Sequence, residues 1–179
     1  MTDHPPCFGI VGWKNTGKTT MTARLTRELS RRGLTISTIK RAQSGFEIDQ
    51  PGTDSHTHRQ AGAYEVAIVA PERWALMHEN HPGEPEPPLD DIVARLSHCD
   101  LVLVEGFKEA HHPKLEMRLA AEVHTPALHE SDPTVIALAY DSVPSDSHRL
   151  PAFQRDSIGT IADRVVVSCG LEAYRRPAR

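Results

Sequence analysis

Residues 12–19 read Gly12-Trp13-Lys14-Asn15-Thr16-Gly17-Lys18-Thr19, which is the pattern G-x-x-x-x-G-K-[ST]. Each fixed position has its own physical reason. Gly12 and Gly17 let the backbone turn sharply and approach an anion without a Cβ in the way. The successive N–H groups then converge on that anion, helped by the positive end of the helix that comes next. Lys18 is placed to bridge the β- and γ-phosphates of a nucleoside triphosphate, and the Thr19 hydroxyl to bind Mg²⁺. Thr20 comes next as a donor to the α-phosphate. Gly12, Asn15, Thr16, Gly17, Lys18, Thr19 and Thr20 are thus the expected nucleotide-binding set of a P-loop.

The flanks supply the context that this motif requires. Residues 7–11 (CFGIV) are short, apolar and β-prone, as a buried parallel strand should be. From residue 17 to 32 the period changes, with Met21, Leu25 and Leu29 four apart on one helical stripe. Gly33 stands where a helix-ending glycine belongs. Residues 34–40 (LTISTIK) read as a second strand, closing a βαβ unit. Farther on, a brief strand is predicted at 46–48 and a short helix to about residue 63, capped by Asp54 or Ser55. Strands are predicted at 64–70, 74–78, 101–104, 114–119 and 135–140, and helices at 89–97 and 157–168. Residues 81–88 hold four prolines and read as a surface linker. Strands alternating with helices predict an α/β fold, a doubly wound, mostly parallel sheet with helices on both faces. At 179 residues, the chain is expected to form a single P-loop nucleotide-binding domain over 1–179.

Bulk composition narrows the class. A net charge of −4 lacks the basic face that a nucleic-acid footprint requires. No apolar run approaches the ~18 residues of a membrane span. The three cysteines form no CxxC pair and suit buried reduced thiols. With no basic or apolar leader at the N-terminus, a soluble cytoplasmic protein is expected.

A P-loop protein needs a second acid for its metal, at the end of a neighbouring apolar strand. Asp100 begins the LVLV strand, at its wrong end, whereas Glu105 ends it at the carboxyl edge, where open α/β sheets bind ligands. Glu105 is therefore the expected Mg²⁺ partner of Thr19 and, with Lys18, the candidate for any catalysis. Gly106 beside it would permit close approach to the γ-phosphate. A strand-end acid that merely meets solvent is the alternative. Asp49 and Asp54 stand evenly between two readings: as a nucleotide contact and a metal ligand in a loop that responds to the γ-phosphate, or as an Asx turn and a helix cap. His111-His112 has no third ligand at a metal-binding spacing.

Several segments together resemble the molybdopterin-guanine dinucleotide biosynthesis adapter family, MobB. They are GWKNTGKTT, the TIK strand end, FEIDQPGTDSHTHRQAGA, ERWALM, DLVLVEGFK and VIALAYD, in matching order across about residues 7–167. The resemblance implies a GTP-binding accessory protein with weak GTPase activity, homodimeric and similar to the SIMIBI class of P-loop GTPases. It implies a MobA-type nucleotidyltransferase as partner, a MoeA-type molybdenum insertase as a second candidate, and molybdopterin as a possible ligand. It also puts Asp49, Asp54 and Glu105 at the nucleotide, and Lys40, Arg59, Arg73 and Lys108 as anion or pterin contacts on the same face. Any of these four cations can equally be a solvated surface charge. One departure is visible. The family's histidine-rich stretch after the TIK strand is replaced by Arg41-Ala42-Gln43-Ser44, so a histidine role there is not carried over. The guanine-reading N/T-K-x-D motif is missing too, and Asp141, ending the VIALAY strand, takes that role by position only.

Two functions from different classes are open to such a chain. The first is an adapter that binds GTP and Mg²⁺ and hydrolyses slowly, since no water-orienting Gln or arginine finger stands near the loop. The alternative is a P-loop small-molecule kinase, with 41–59 and 71–88 long enough to be lids. The 74–77 strand, near Tyr64, is a candidate for burial between subunits, although burial within one subunit explains it as well.

Overall fold

A computed structural model describes residues 4–42, 45–121, 125–142 and 149–174. Gln43 and Ser44, half of the stretch that departs from the family pattern, lie outside them. Two compact units make up the chain, Met1–Arg41 with Leu89–Arg179, and Ala42–Pro88.

The larger unit is built on a six-stranded sheet. Its strands are β1 (Cys7–Gly12), β2 (Ile36–Lys40), β5 (Leu101–Glu105), β6 (Lys114–Arg118), β7 (Val135–Tyr140) and β8 (Ala152–Gln154). Their order is β2-β5-β1-β6-β7-β8, and every neighbouring pair is parallel. Side chains alternate between the two faces. Phe8, Ile10, Leu101 and Leu103 pack with α1 (Lys18–Arg31) and α4 (Ile158–Ser168). Val102 and Val104 pack on the other face with Leu89 and Val93 of α3 (Leu89–Ala94). Both faces are thereby covered, which is why the LVLV strand is apolar throughout rather than alternating.

Helix α1 ends as its glycine predicts. Gly33 takes φ 94°, its N–H donates to Ser30 O at 3.0 Å, and the Leu34 N–H reaches back to Leu29 O at 3.3 Å. These are the paired bonds of a Schellman motif, and Leu34 packs in the same core as Leu29.

The smaller unit holds α2 (Asp54–Gln60) and an antiparallel hairpin of β3 (Glu65–Ala70) and β4 (Arg73–His78). Two expectations change here. Residues 46–48 form no strand. Their side chains instead serve ion pairing and the surface: Glu47 pairs with Arg59 at 2.6 Å, and Phe46 and Ile48 are exposed. The cap of α2 is Thr53, neither Asp54 nor Ser55. Its backbone is extended and its hydroxyl accepts the His56 N–H, while Asp54 falls in the first helical turn, where its charge suits the dipole. The helix stops at Gln60, short of residue 63.

Candidate functional site

Strand β1 delivers the phosphate loop to the carboxyl edge of the sheet. At Gly12 the backbone takes φ 144° and lies against β6, so a Cβ there would meet Met117 O at 2.6 Å and Thr16 Oγ1 at 2.8 Å. Asn15 and Gly17 also have positive φ, 65° and 91°, the alternation that turns successive N–H groups inward. Thr16 is buried, and its hydroxyl donates to Trp13 O at 2.9 Å. Helix α1 then begins with no side-chain cap. Its first-turn N–H groups have no intrahelical partner, an arrangement that fits an anion.

The side chains converge on Glu105. Register places it beside Ile10 of β1 and Lys40 of β2, at the end of the apolar strand. Thr19 Oγ1 donates to Glu105 Oε1 at 2.9 Å, and Lys40 Nζ stands 3.6 Å from the same oxygen. Lys18 Nζ donates to Trp13 O at 2.5 Å. Burial holds the Lys18 ammonium below its ordinary pKa, with Lys108 and Lys40 adding to that effect and Glu105 opposing it. Lys108 Nζ lies 4.5 Å from the centre of the Trp13 ring, a cation–π contact. Lys40 thus stands beside the Glu105 carboxylate, and Glu105, Lys40 and Lys108 all act on the Lys18 charge. The fit to Mg²⁺ rests on the donor chemistry: a hydroxyl and a carboxylate, both hard oxygens, are side by side. Mg²⁺ is typically held by one or two protein oxygens, with phosphates and waters completing the shell. Gly106, at φ 99°, leaves room for Arg41, whose Cβ would lie 3.0 Å from a Cβ there.

Asp141 comes directly after β7 on the same edge. Its Oδ1 accepts the Ala120 N–H at 2.8 Å and the Ser142 N–H at 2.9 Å. These amides, Ala120 first, hold its carboxyl below the ordinary range. Thr20 is exposed in the first turn of α1.

Asp49, Asp54, Arg59 and Arg73 belong to the smaller unit. There Asp49 is buried and pairs with Arg59 at 2.9 Å. The same guanidinium holds Glu47 and, at 3.3 Å, Glu79, so it is shared among three carboxylates. Arg73 opens β4, exposed.

Sequence reasoning misses a buried carboxylate next to the loop. Glu116, on β6, is fully buried and accepts the Leu128 N–H at 3.0 Å and the His129 N–H at 3.1 Å. His129 Nδ1 at 2.7 Å and Arg118 Nη1 at 3.0 Å complete its partners. Burial alone would raise its pKa, yet these donors together bring it below its ordinary value. Trp13 likewise proves to be more than a variable loop position: its Nε1–H donates to Pro126 O at 2.8 Å. No pattern of spacing could have shown either. His112 is held near pKa 4, chiefly by burial and then by Lys114, so it is neutral. Among the described residues no three His, Cys, Asp or Glu side chains group as a metal site.

Residues 7–141 match the family model for molybdopterin guanine dinucleotide synthesis protein B, MobB. The chain is 37% identical over 138 residues to the molybdopterin-guanine dinucleotide biosynthesis adapter protein of Escherichia coli strain K12, covering 76% of this chain and 78% of that one. It is 37% identical over 142 residues to the protein of the same name from Haemophilus influenzae, covering 78% and 76%. Among solved structures, Bacillus subtilis MobB superposes with a TM-score of 0.72 at 26% identity, over 92% of this chain and 98% of the other.

Proposed function

Since the chain belongs to the molybdopterin guanine dinucleotide synthesis protein B family, we propose that it is a GTP- and Mg²⁺-binding adapter of molybdopterin guanine dinucleotide biosynthesis. The observation that carries this reading is the pairing of Thr19 with Glu105 at 2.9 Å, beside Lys18 and an uncapped helix N-terminus.

Bound Mg²⁺ would supply charge neutralisation on the phosphate oxygens. The chain's own residues do the rest. The first-turn amides of α1 and the loop N–H groups bind the phosphate chain, and Lys18, fixed by Trp13 O, orients against its terminal oxygens. Thr19 and Glu105 hold the metal side of the site, and Lys40 and Lys108 draw further anionic groups to it, including a pterin phosphate. Asp141 is the acceptor assigned to guanine. Within the smaller unit, Asp49 and Arg59 hold one another at 2.9 Å. Hydrolysis of the bound GTP is slow.

The adapter acts in the cytoplasm on a MobA-type nucleotidyltransferase, with a MoeA-type insertase as a second partner. No described helix is long and apolar enough to cross a membrane. It works as a homodimer through the β3–β4 hairpin. One face of that hairpin pairs Val69 with Trp74 and Ala67 with Leu76; Val69 is 78% and Trp74 66% exposed. A two-stranded hairpin is marginal alone, so a partner on this face supplies what it lacks. A pull-down of the nucleotidyltransferase with and without GTP tests the adapter role. GTP-dependent capture is expected, and equal capture in its absence argues against it.

A further inference from the structure

Trp13 makes three kinds of contact at once. Its carbonyl accepts both the Lys18 ammonium at 2.5 Å and the Thr16 hydroxyl at 2.9 Å. Its ring face carries Lys108. Its indole N–H donates to Pro126 O at 2.8 Å, across 113 positions of chain. Pro126 begins a stretch that is otherwise held to the sheet by Glu116, which accepts the amides of Leu128 and His129. A 3-10 turn, Leu128–Glu130, completes it. Glu116 itself pairs with Val11 of β1, one residue before Gly12. The phosphate loop and the segment 125–130 are therefore joined twice, once through the sheet and once through the Trp13 indole.

The sheet connection is rigid and buried. The indole connection is not: Trp13 is partly exposed, and its carbonyl is the anchor of the lysine assigned to the phosphates. A nucleotide phosphate competes with Trp13 O for the Lys18 ammonium, so phosphate occupancy changes what the peptide bearing the indole holds. We propose that Trp13 is a positioning residue that couples phosphate occupancy of the loop to segment 125–130 through its bond to Pro126. This rests on the nucleotide-binding reading above, and it adds a route by which occupancy reaches a surface beyond the loop. Segment 125–130 then has two states that both ends bias, and exchange of its amides reads them.

Two measurements test it on the full-length protein. In Trp74→Phe, Trp13 is the remaining tryptophan, and its emission is expected to shift when Mg²⁺-GTP is added. Hydrogen exchange of the Leu128 and His129 amides reads the segment itself. Mg²⁺-GTP is expected to slow exchange there, by about fivefold for a gain of about one hydrogen bond's worth of stability. Trp13→Phe keeps the ring and removes the donor. Compared with the parent at saturating Mg²⁺-GTP, it should lose the slowing at 128 and 129. Equal slowing in parent and Trp13→Phe overturns the coupling, as does an unchanged Trp13 emission in Trp74→Phe that demonstrably binds GTP. Failure of the parent to bind GTP removes the nucleotide reading and the coupling with it. The emission experiment leaves Trp13 intact, so the test does not depend on Trp13→Phe folding.

Discussion

Thr19 Oγ1 donates to Glu105 Oε1 across 2.9 Å, joining the first turn of helix α1 to the end of strand β5. The two residues are 86 positions apart in the chain. They meet because β1 and β5 are parallel neighbours, so the loop after β1 and the last residue of β5 emerge at the same edge of the sheet.

Glu105→Gln separates charge from shape at that point. The amide can still accept from Thr19, but the carboxylate for a divalent cation is gone. Titrated calorimetrically with GTP, the parent should bind more tightly with Mg²⁺ than with EDTA, and Glu105→Gln should lose most of that difference. A variant retaining the full Mg²⁺ dependence would remove Glu105 from the metal site.

Lys18→Ala removes the ammonium assigned to the phosphates. A charged hydrogen bond contributes about 1.5–3 kcal/mol, so the GTP Kd should rise about 10- to 100-fold or more. The melting temperature should barely move, because Lys18 donates only to Trp13 O among the described contacts.

The two loop glycines should fail differently. Gly17→Ala meets nothing within 4 Å, so its cost is the left-handed backbone, about 1–2 kcal/mol. Gly12→Ala would also drive a methyl group against Met117 O, a backbone atom that cannot step aside. Thermal unfolding should rank Gly12→Ala as the more damaging.

Acid stability should report Glu116. Its folded pKa lies below the ordinary 4.5. The group therefore adds stability that is present above about 4.5 and lost as pH falls through the folded value. Denaturant unfolding tracked by circular dichroism between about pH 6 and 3 should show this loss in the parent and a shallower slope in Glu116→Gln. The variant should also be less stable at neutral pH by about 1–3 kcal/mol, since buried donors lose a charged acceptor.

The hairpin face should govern assembly. Trp74→Glu places a charge on an exposed apolar pair. If a second copy covers that face, the substitution should raise the dimer dissociation constant at least about 30-fold, the effect of a ~2 kcal/mol interface hot spot. Sedimentation equilibrium measures it. An unchanged oligomeric state would put the interface elsewhere.

How much of the structure is legible in the sequence depends on the range of the forces involved. Strand β1, helix α1 and strand β5 announce themselves through local periodicity and terminal glycines, and the sheet's class comes from their alternation. Glu105 is readable because its place at the end of an apolar strand is itself a local pattern. Strand β8, three residues at the sheet edge, is too short to carry a period. The cap of α2 lies one residue before its predicted place because Thr53, Asp54 and Ser55 are all good caps, and only the extended backbone of Thr53 selects among them. Glu116 and the Trp13–Pro126 bond rest on contacts between distant residues, which no window along the chain contains.

The most direct measurement is calorimetric titration of the purified chain with GTP, ATP and GDP in the presence of Mg²⁺, alongside Lys18→Ala. Saturable GTP binding is expected, stronger than ATP binding and weakened at least about tenfold in Lys18→Ala. A wide preference for ATP, or GTP binding untouched by Lys18→Ala, would contradict it.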